Sequence, residues 1–219
     1  TADGYLTARG QLGIYITERT GDIQVSTIYS ASGDVRLTAP GNIVDALNTS
    51  FVNIEAGDIW LTSTGGGIGA AGSSGSAPNS LDIEARGNGS TTGAGLLTAT
   101  AQGDIFIAEQ SGDMNVRNVL STAGSVRLEA AENILDAMDL VDPTVPSSGE
   151  DVDAASKKPQ IDVLAHENIT LQARGDSSGA SGYIGEAGNQ LDIDSRRGNL
   201  AGVVSVQSRS DTYLIETLG

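Results

Sequence analysis

Apolar and polar residues alternate over short stretches along almost the whole chain. The pattern glycine, aspartate, apolar, any residue, apolar occurs as GDIQV (21–25), GDVRL (33–37), GDIWL (57–61), GDIFI (103–107) and GDMNV (112–116). Variants are LDIEA (81–85), GSVRL (124–128) and ENITL (167–171). Each is a period-2 run rich in Ile, Val and Leu and bounded by Gly, Asn or Ser, which predicts a short β-strand. No window carries a sustained 3.6-residue apolar stripe, so the chain is expected to be all-β. Ile14 to Val35 is 21 residues and Ile23 to Ile43 is 20. These spacings predict a coil of about 20 residues with two or three strands.

One such coil cannot bury its apolar face, but stacked coils share a continuous core. The expected architecture is a parallel β-solenoid in the form of a right-handed β-helix. Ile and Val point inward, Gly and Asn turn the corners, and polar residues face water. At the ~4.8 Å spacing of paired strands, about ten coils would make a rod roughly 50 Å long.

A longer repeat overlies this rhythm. Displaced by 91 positions, residues 5–46 match 96–137 at 20 of 42 positions without a gap. Farther along the offset becomes 110, so Leu81-Asp82-Ile83 falls on Leu191-Asp192-Ile193. The difference is an insertion over residues 140–158. The long units are 5–95 and 96–202, with a partial third at 203–219, all within one solenoid segment spanning 1–219. An array that stops inside a unit is expected to belong to a longer chain.

Composition narrows the chemistry. There are 29 Gly, no Cys and one His, and 28 acidic residues against 12 basic give a net charge of −16. Such a surface cannot neutralise phosphates, so nucleic acid is not an expected partner, and neither is an anionic membrane. No apolar run approaches the ~20 residues of a membrane span. Without Cys there is no disulfide, thiol catalysis or thiolate metal site, and His166 alone is a poor basis for a triad.

The strings GDVRLTAPGNIVDA (33–46), SVRLEAAENILDA (125–137) and IGEAGNQLDIDSRRG (184–198) resemble the repeats of filamentous-haemagglutinin-like bacterial exoproteins. Many of these large adhesins are exported by two-partner secretion. The resemblance covers most of the chain outside 140–158. The family's Asn-Pro-Asn-Gly secretion signature is absent from this sequence, so the resemblance is to the shaft. It implies a non-enzymatic stalk, secreted or held at the outer membrane and cell surface, that mediates adhesion to host or environmental glycans and proteins.

Two sets of residues are candidate binding positions. Tyr15, Phe106 and Tyr213 occupy equivalent places in the long units, and Trp60 points outward by the same alternation. Outward aromatics on a strand face either stack on sugar rings or are covered by a loop such as 88–95. The insertion carries Asp142, Glu150, Asp151 and Asp153, four carboxylates that are candidate Ca²⁺ ligands; no other cofactor is expected. The aspartates that follow glycine (Asp22, Asp34, Asp58, Asp104 and Asp113) are expected to cap turns. Aligned as a carboxylate row they would suit the alternative of a β-helix polysaccharide lyase or hydrolase. A third reading is a purely structural surface-layer or matrix component. Open strand edges at both ends predict end-to-end self-association of the isolated segment unless the parent chain flanks it.

Overall fold

The computed structural model describes residues 4–72, 78–87, 95–137, 161–175, 181–197 and 200–217. Among them there is no helix. The first coil is β1 (Leu6–Gly10) and β2 (Ile14–Thr17), and the second is β3 (Ile23–Ser30) and β4 (Val35–Ala39). The third holds β5 (Ile43–Asp45), β6 (Ile54–Ala56) and β7 (Ile59–Ser63), and the fourth β8 (Leu81–Ala85) and β9 (Leu96–Ala101). Then come β10 (Ile105–Glu109) with β11 (Met114–Ser121), and β12 (Val126–Ala130) with β13 (Ile134–Asp136) and β14 (Val163–Ala165). The last two coils are β15 (Ile169–Ala173), β16 (Leu191–Arg197) and β17 (Leu200–Ala201), then β18 (Val204–Ser208) and β19 (Leu214–Glu216).

These strands stack into two sheets, as a parallel β-solenoid requires. Sheet I runs β1-β3-β6-β8-β10-β12-β15-β18, with β5 beside β3. Sheet II runs from β2 through β4, β7, β9, β11 and β14 to β16, with β13, β17 and β19 attached at its side or end. Every strand pair is parallel except β16–β17. The step between paired residues is 20 for Ala8–Ile28 and 21 for Ile14–Val35 and Ile105–Val126. It rises to 29 for Ile54–Ile83 and 43 for Val126–Ile169, the extra residues lying between strands.

The core is the inner set of the alternation. Ile28, Ile54 and Ile83 form one buried ladder across sheet I, and Val35, Ile59 and Leu97 another across sheet II. Each such side chain contributes about 1.5–3 kcal/mol by leaving water. Strand ends carry small residues where the chain bends out of the sheet. Ala39, Ser63, Ala101, Ser121 and Ala165 form one such ladder. The serines complete the bend: Ser121 Oγ donates to the Gly103 carbonyl (2.8 Å) and accepts from Gly124 N–H (3.0 Å), and Ser63 does the same with Gly41 and Gly66.

The long repeat is not a whole number of coils. β1, β2, β3 and β4 are equivalent by the 91-residue offset to β9, β10, β11 and β12. The first set begins in sheet I and the second in sheet II. Each long unit therefore spans three and a half coils, and equivalent residues of successive units lie on opposite faces of the solenoid.

Candidate functional site

The post-glycine aspartates hold the corners. Asp34 accepts a hydrogen bond from Asp58 N–H (3.2 Å), Asp58 from Leu96 N–H (3.0 Å) and Asp104 from Ser125 N–H (2.8 Å). Asp22 accepts from both the backbone and the side-chain nitrogens of Asn42, whose Oδ1 in turn accepts from Gly67 N–H (2.8 Å). Asp113 does the same with Asn133, whose Oδ1 takes Gly182 and Tyr183 N–H (2.7 and 3.0 Å). In every case the acceptor is in one coil and the donor in the next. These carboxylates bond the backbone of the next coil, 20 to 38 residues on, where the sequence suggested local turn caps.

The outward aromatics are distributed over both faces. On sheet II, Tyr15, Arg36, Trp60 and Thr98 form one outward ladder. The Arg36 guanidinium lies 4.1 Å from the Trp60 ring centroid and 5.8 Å from that of Tyr15. Tyr15 is 66% exposed. Arg36 is also exposed and makes no ion pair among the described residues. Its equivalent Arg127 is engaged differently, bonding Glu129 (2.6 Å) and Gln172 (3.4 Å), and Glu129 also holds Arg174 (3.0 Å). Phe106 is half-buried on sheet I, where its ladder neighbour is Arg127. Tyr213 lies just before β19, beside Tyr183. The structure thus brings Tyr15 and Trp60 together and separates both from Phe106 and Tyr213.

Tyr29 also belongs to this set. It stands outward on β3 with Arg9 at 4.6 Å and Arg86 at 5.3 Å from its ring, and Arg86 also pairs with Glu55 (2.6 Å). The alternation in IQVSTIYS marks Tyr29 as outward, but nothing local marks its cationic partners, which are 20 and 57 residues away.

Several carboxylates are buried. Glu109 Oε2 accepts from Ala85 N–H (3.0 Å) in the preceding coil, and desolvation holds its pKa well above the usual range. Its equivalent Glu216 reaches back to Ser195 N–H (3.0 Å) in the same manner. In the first coil the equivalent Glu18 has no earlier described strand to reach and accepts from Arg19 and Thr20 N–H, which lowers its pKa. Asp82 is pushed up to about 6, chiefly by burial. Asp162 goes further, to about 10, because it is desolvated and faces the carboxylate of Asp136.

Asp142, Glu150, Asp151 and Asp153 fall within 138–160, outside the described residues. Among the described residues no group of three or more acidic or histidine side chains is placed to hold a metal ion. His166 is exposed, and its N–H donates to the Ser121 carbonyl (3.1 Å). No described helix is long and apolar enough to cross a membrane. Neither a family model, nor a curated protein, nor a solved structure matches this chain.

Proposed function

We propose that this chain is a shaft segment of a secreted or cell-surface bacterial adhesin, non-enzymatic, which presents recognition positions on a stiff rod. The observation that carries the reading is the division of labour between corners and faces. Acidic residues at the corners join each coil to the next, while the sheet II face carries the open Tyr15–Arg36–Trp60 stack. Aromatic rings of this kind give rigid apolar area for sugar rings, and the stacked guanidinium, with no ion pair among the described residues, offers its N–H edge to a polar substituent. The charge of −16 keeps such rods apart sideways.

The test is a glycan array probed with the purified chain, once with Ca²⁺ and once with a chelator. Binding in both conditions that is lost in Tyr15→Ala and Trp60→Ala supports recognition on sheet II. Binding only with Ca²⁺ supports recognition through Asp142, Glu150, Asp151 and Asp153. No binding in either condition overturns recognition by this segment and leaves a spacer.

A further inference from the structure

The corner that precedes β16 has a feature that the solenoid does not need. Ile184 is fully buried and pairs in parallel with Thr212 of the next coil. Ile184 N–H donates to the Asp211 carbonyl (3.1 Å) and Tyr213 N–H to the Ile184 carbonyl (2.7 Å). With Ile184 inward, Tyr183 and Gly185 face outward, and Asp211 and Tyr213 do so on the neighbouring coil. Gly185 is at φ +65°, and a Cβ there would collide with the Tyr213 carbonyl oxygen. The absence of a side chain lets the turn that follows, closed by Glu186 and Asn189, lie against Tyr213.

The result is an open cleft of about 330 Å³ lined by Tyr183, Glu186, Ala187, Ser210, Asp211 and Tyr213. Each phenol is tied to a carboxylate of its own segment: Tyr183 Oη to Glu186 Oε1 and Tyr213 Oη to Asp211 Oδ2, both at 3.4 Å. Burial raises the pKa of Tyr183, and the negative charges of Glu186, Asp113 and Glu132 raise it further. Among the described residues no cationic side chain lines the cleft. The stem of Arg209, the nearest in sequence, packs over Gly175 and Gly182.

The first long unit supplies an internal comparison. There Ile68 pairs with Ile105, Phe106 N–H donates to the Ile68 carbonyl (2.7 Å), and Gly69 takes φ +68°. The backbone arrangement is the same, with Phe106 in place of Tyr213 and Asp104 in place of Asp211. Gly67 and Ala70 stand where the second unit has Tyr183 and Glu186. One aromatic and one carboxylate have therefore been added to a corner that closes without them.

We propose that the Tyr183–Tyr213 cleft is a binding site for an organic cation, a quaternary ammonium or protonated amine group held between two tyrosines and the carboxylates of Glu186 and Asp211. Aromatic faces attract such groups through the ring quadrupole, and the two carboxylates supply the net charge that a neutral sugar would not use. The chemistry is shared by a choline-type head group and by a lysine side chain. The site does not depend on the sheet II stack and stands or falls separately from recognition there.

The test is ligand-observed NMR titration of the whole chain with choline, with N-acetyl-lysine methylamide, and with the neutral isostere 3,3-dimethylbutan-1-ol. Saturable binding of at least one cation is expected, weakening as salt rises, with the isostere at least about tenfold weaker. Choline preferred over the lysine analogue assigns the quaternary head group, and the reverse order assigns an amine side chain. Tyr183→Ala and Tyr213→Ala should each weaken the cation at least about fivefold, while Tyr183→Phe should retain it. The double change Tyr183→Gly with Glu186→Ala, which rebuilds the first unit's corner, should abolish it with the strand content unchanged by circular dichroism. Absence of binding by both cations overturns the proposal. So does equal binding of the isostere, or full affinity in the double variant.

Discussion

Asp162 stands where the preceding long unit has Asn53, and it keeps only half of that residue's hydrogen bonding. Asn53 Nδ2 donates to Asp45 Oδ1 (2.7 Å) while its Oδ1 accepts from Asp82 N–H (2.9 Å). Asp162 Oδ2 accepts from Asp192 N–H (2.8 Å), but its buried Oδ1 has no donor among the described residues, and the group faces the carboxylate of Asp136. A proton on Asp162 restores the missing donor. Burial is the first reason its pKa rises to about 10, and the facing carboxylate of Asp136 adds to it.

The sign of the pH dependence follows. An acid whose folded pKa lies above its unfolded value binds more protons in the native state, so its contribution to stability is full below about pH 4 and declines up to about pH 10. Asp162→Asn supplies the donor without a proton. It is expected to match the parent near pH 4 and to exceed it at pH 9 by on the order of a few kcal/mol. Urea unfolding at the two pH values measures this, and an unchanged pH slope in the variant would count against the shared proton.

Trp60 is the only tryptophan, so its emission reports on its contact with Arg36, whose guanidinium lies 4.1 Å from the ring centroid. Arg36→Ala is expected to shift that emission and to lower stability by less than ~1 kcal/mol, the usual worth of an exposed cation–π contact. A loss of several kcal/mol would mean that Arg36 holds the fold rather than the face.

At the corners the acceptor oxygen matters and the charge does not, because Asn42, Asn133 and Asn168 do with an amide oxygen what Asp104 does with a carboxylate. Asp104→Asn should leave the thermal midpoint almost unchanged. Asp104→Ala should cost about 1–3 kcal/mol by orphaning Ser125 N–H. Equal losses in the two variants would refute this account.

The first unit joins Asp45-Ala46 to Asn53 through Leu47–Val52, whereas the second spends residues 138–161 between Asp136-Ala137 and Asp162. Replacing 138–161 with Leu47–Val52 is expected to keep the thermal midpoint within a few degrees. Calorimetry showing collapse of the transition would make the insertion part of the folding unit.

The alternation of Ile, Val and Leu was sufficient to read strands, coils and core from the sequence, because in a solenoid each strand's inner face is a local pattern. The Ile14–Val35 pairing was visible in the same way. What could not be read was which outward residues meet. Sequence repeats link Tyr15 to Phe106 across 91 positions, but neighbours in space are one coil apart, and that step varies from 19 for Leu6–Val25 to 50 for Ile134–Ile184. Tyr15 therefore shares its ladder with Arg36 and Trp60, and Tyr213 its cleft with Tyr183. Asp162 was hidden for another reason: it is polar at a buried corner position where its counterpart is an amide, and only the neighbouring carboxylates give the difference meaning.

The half coil in the repeat has a consequence for valency. A group that occurs once per long unit points to opposite sides of the rod in successive units, and returns to the same side only after seven coils, about 34 Å at the spacing of paired strands. Partners approaching from one direction meet only every second copy, which limits avidity on that side. Two partners on opposite sides each meet a copy of their own. Duplication in this arrangement yields a bridge between two bodies rather than a tighter grip on one.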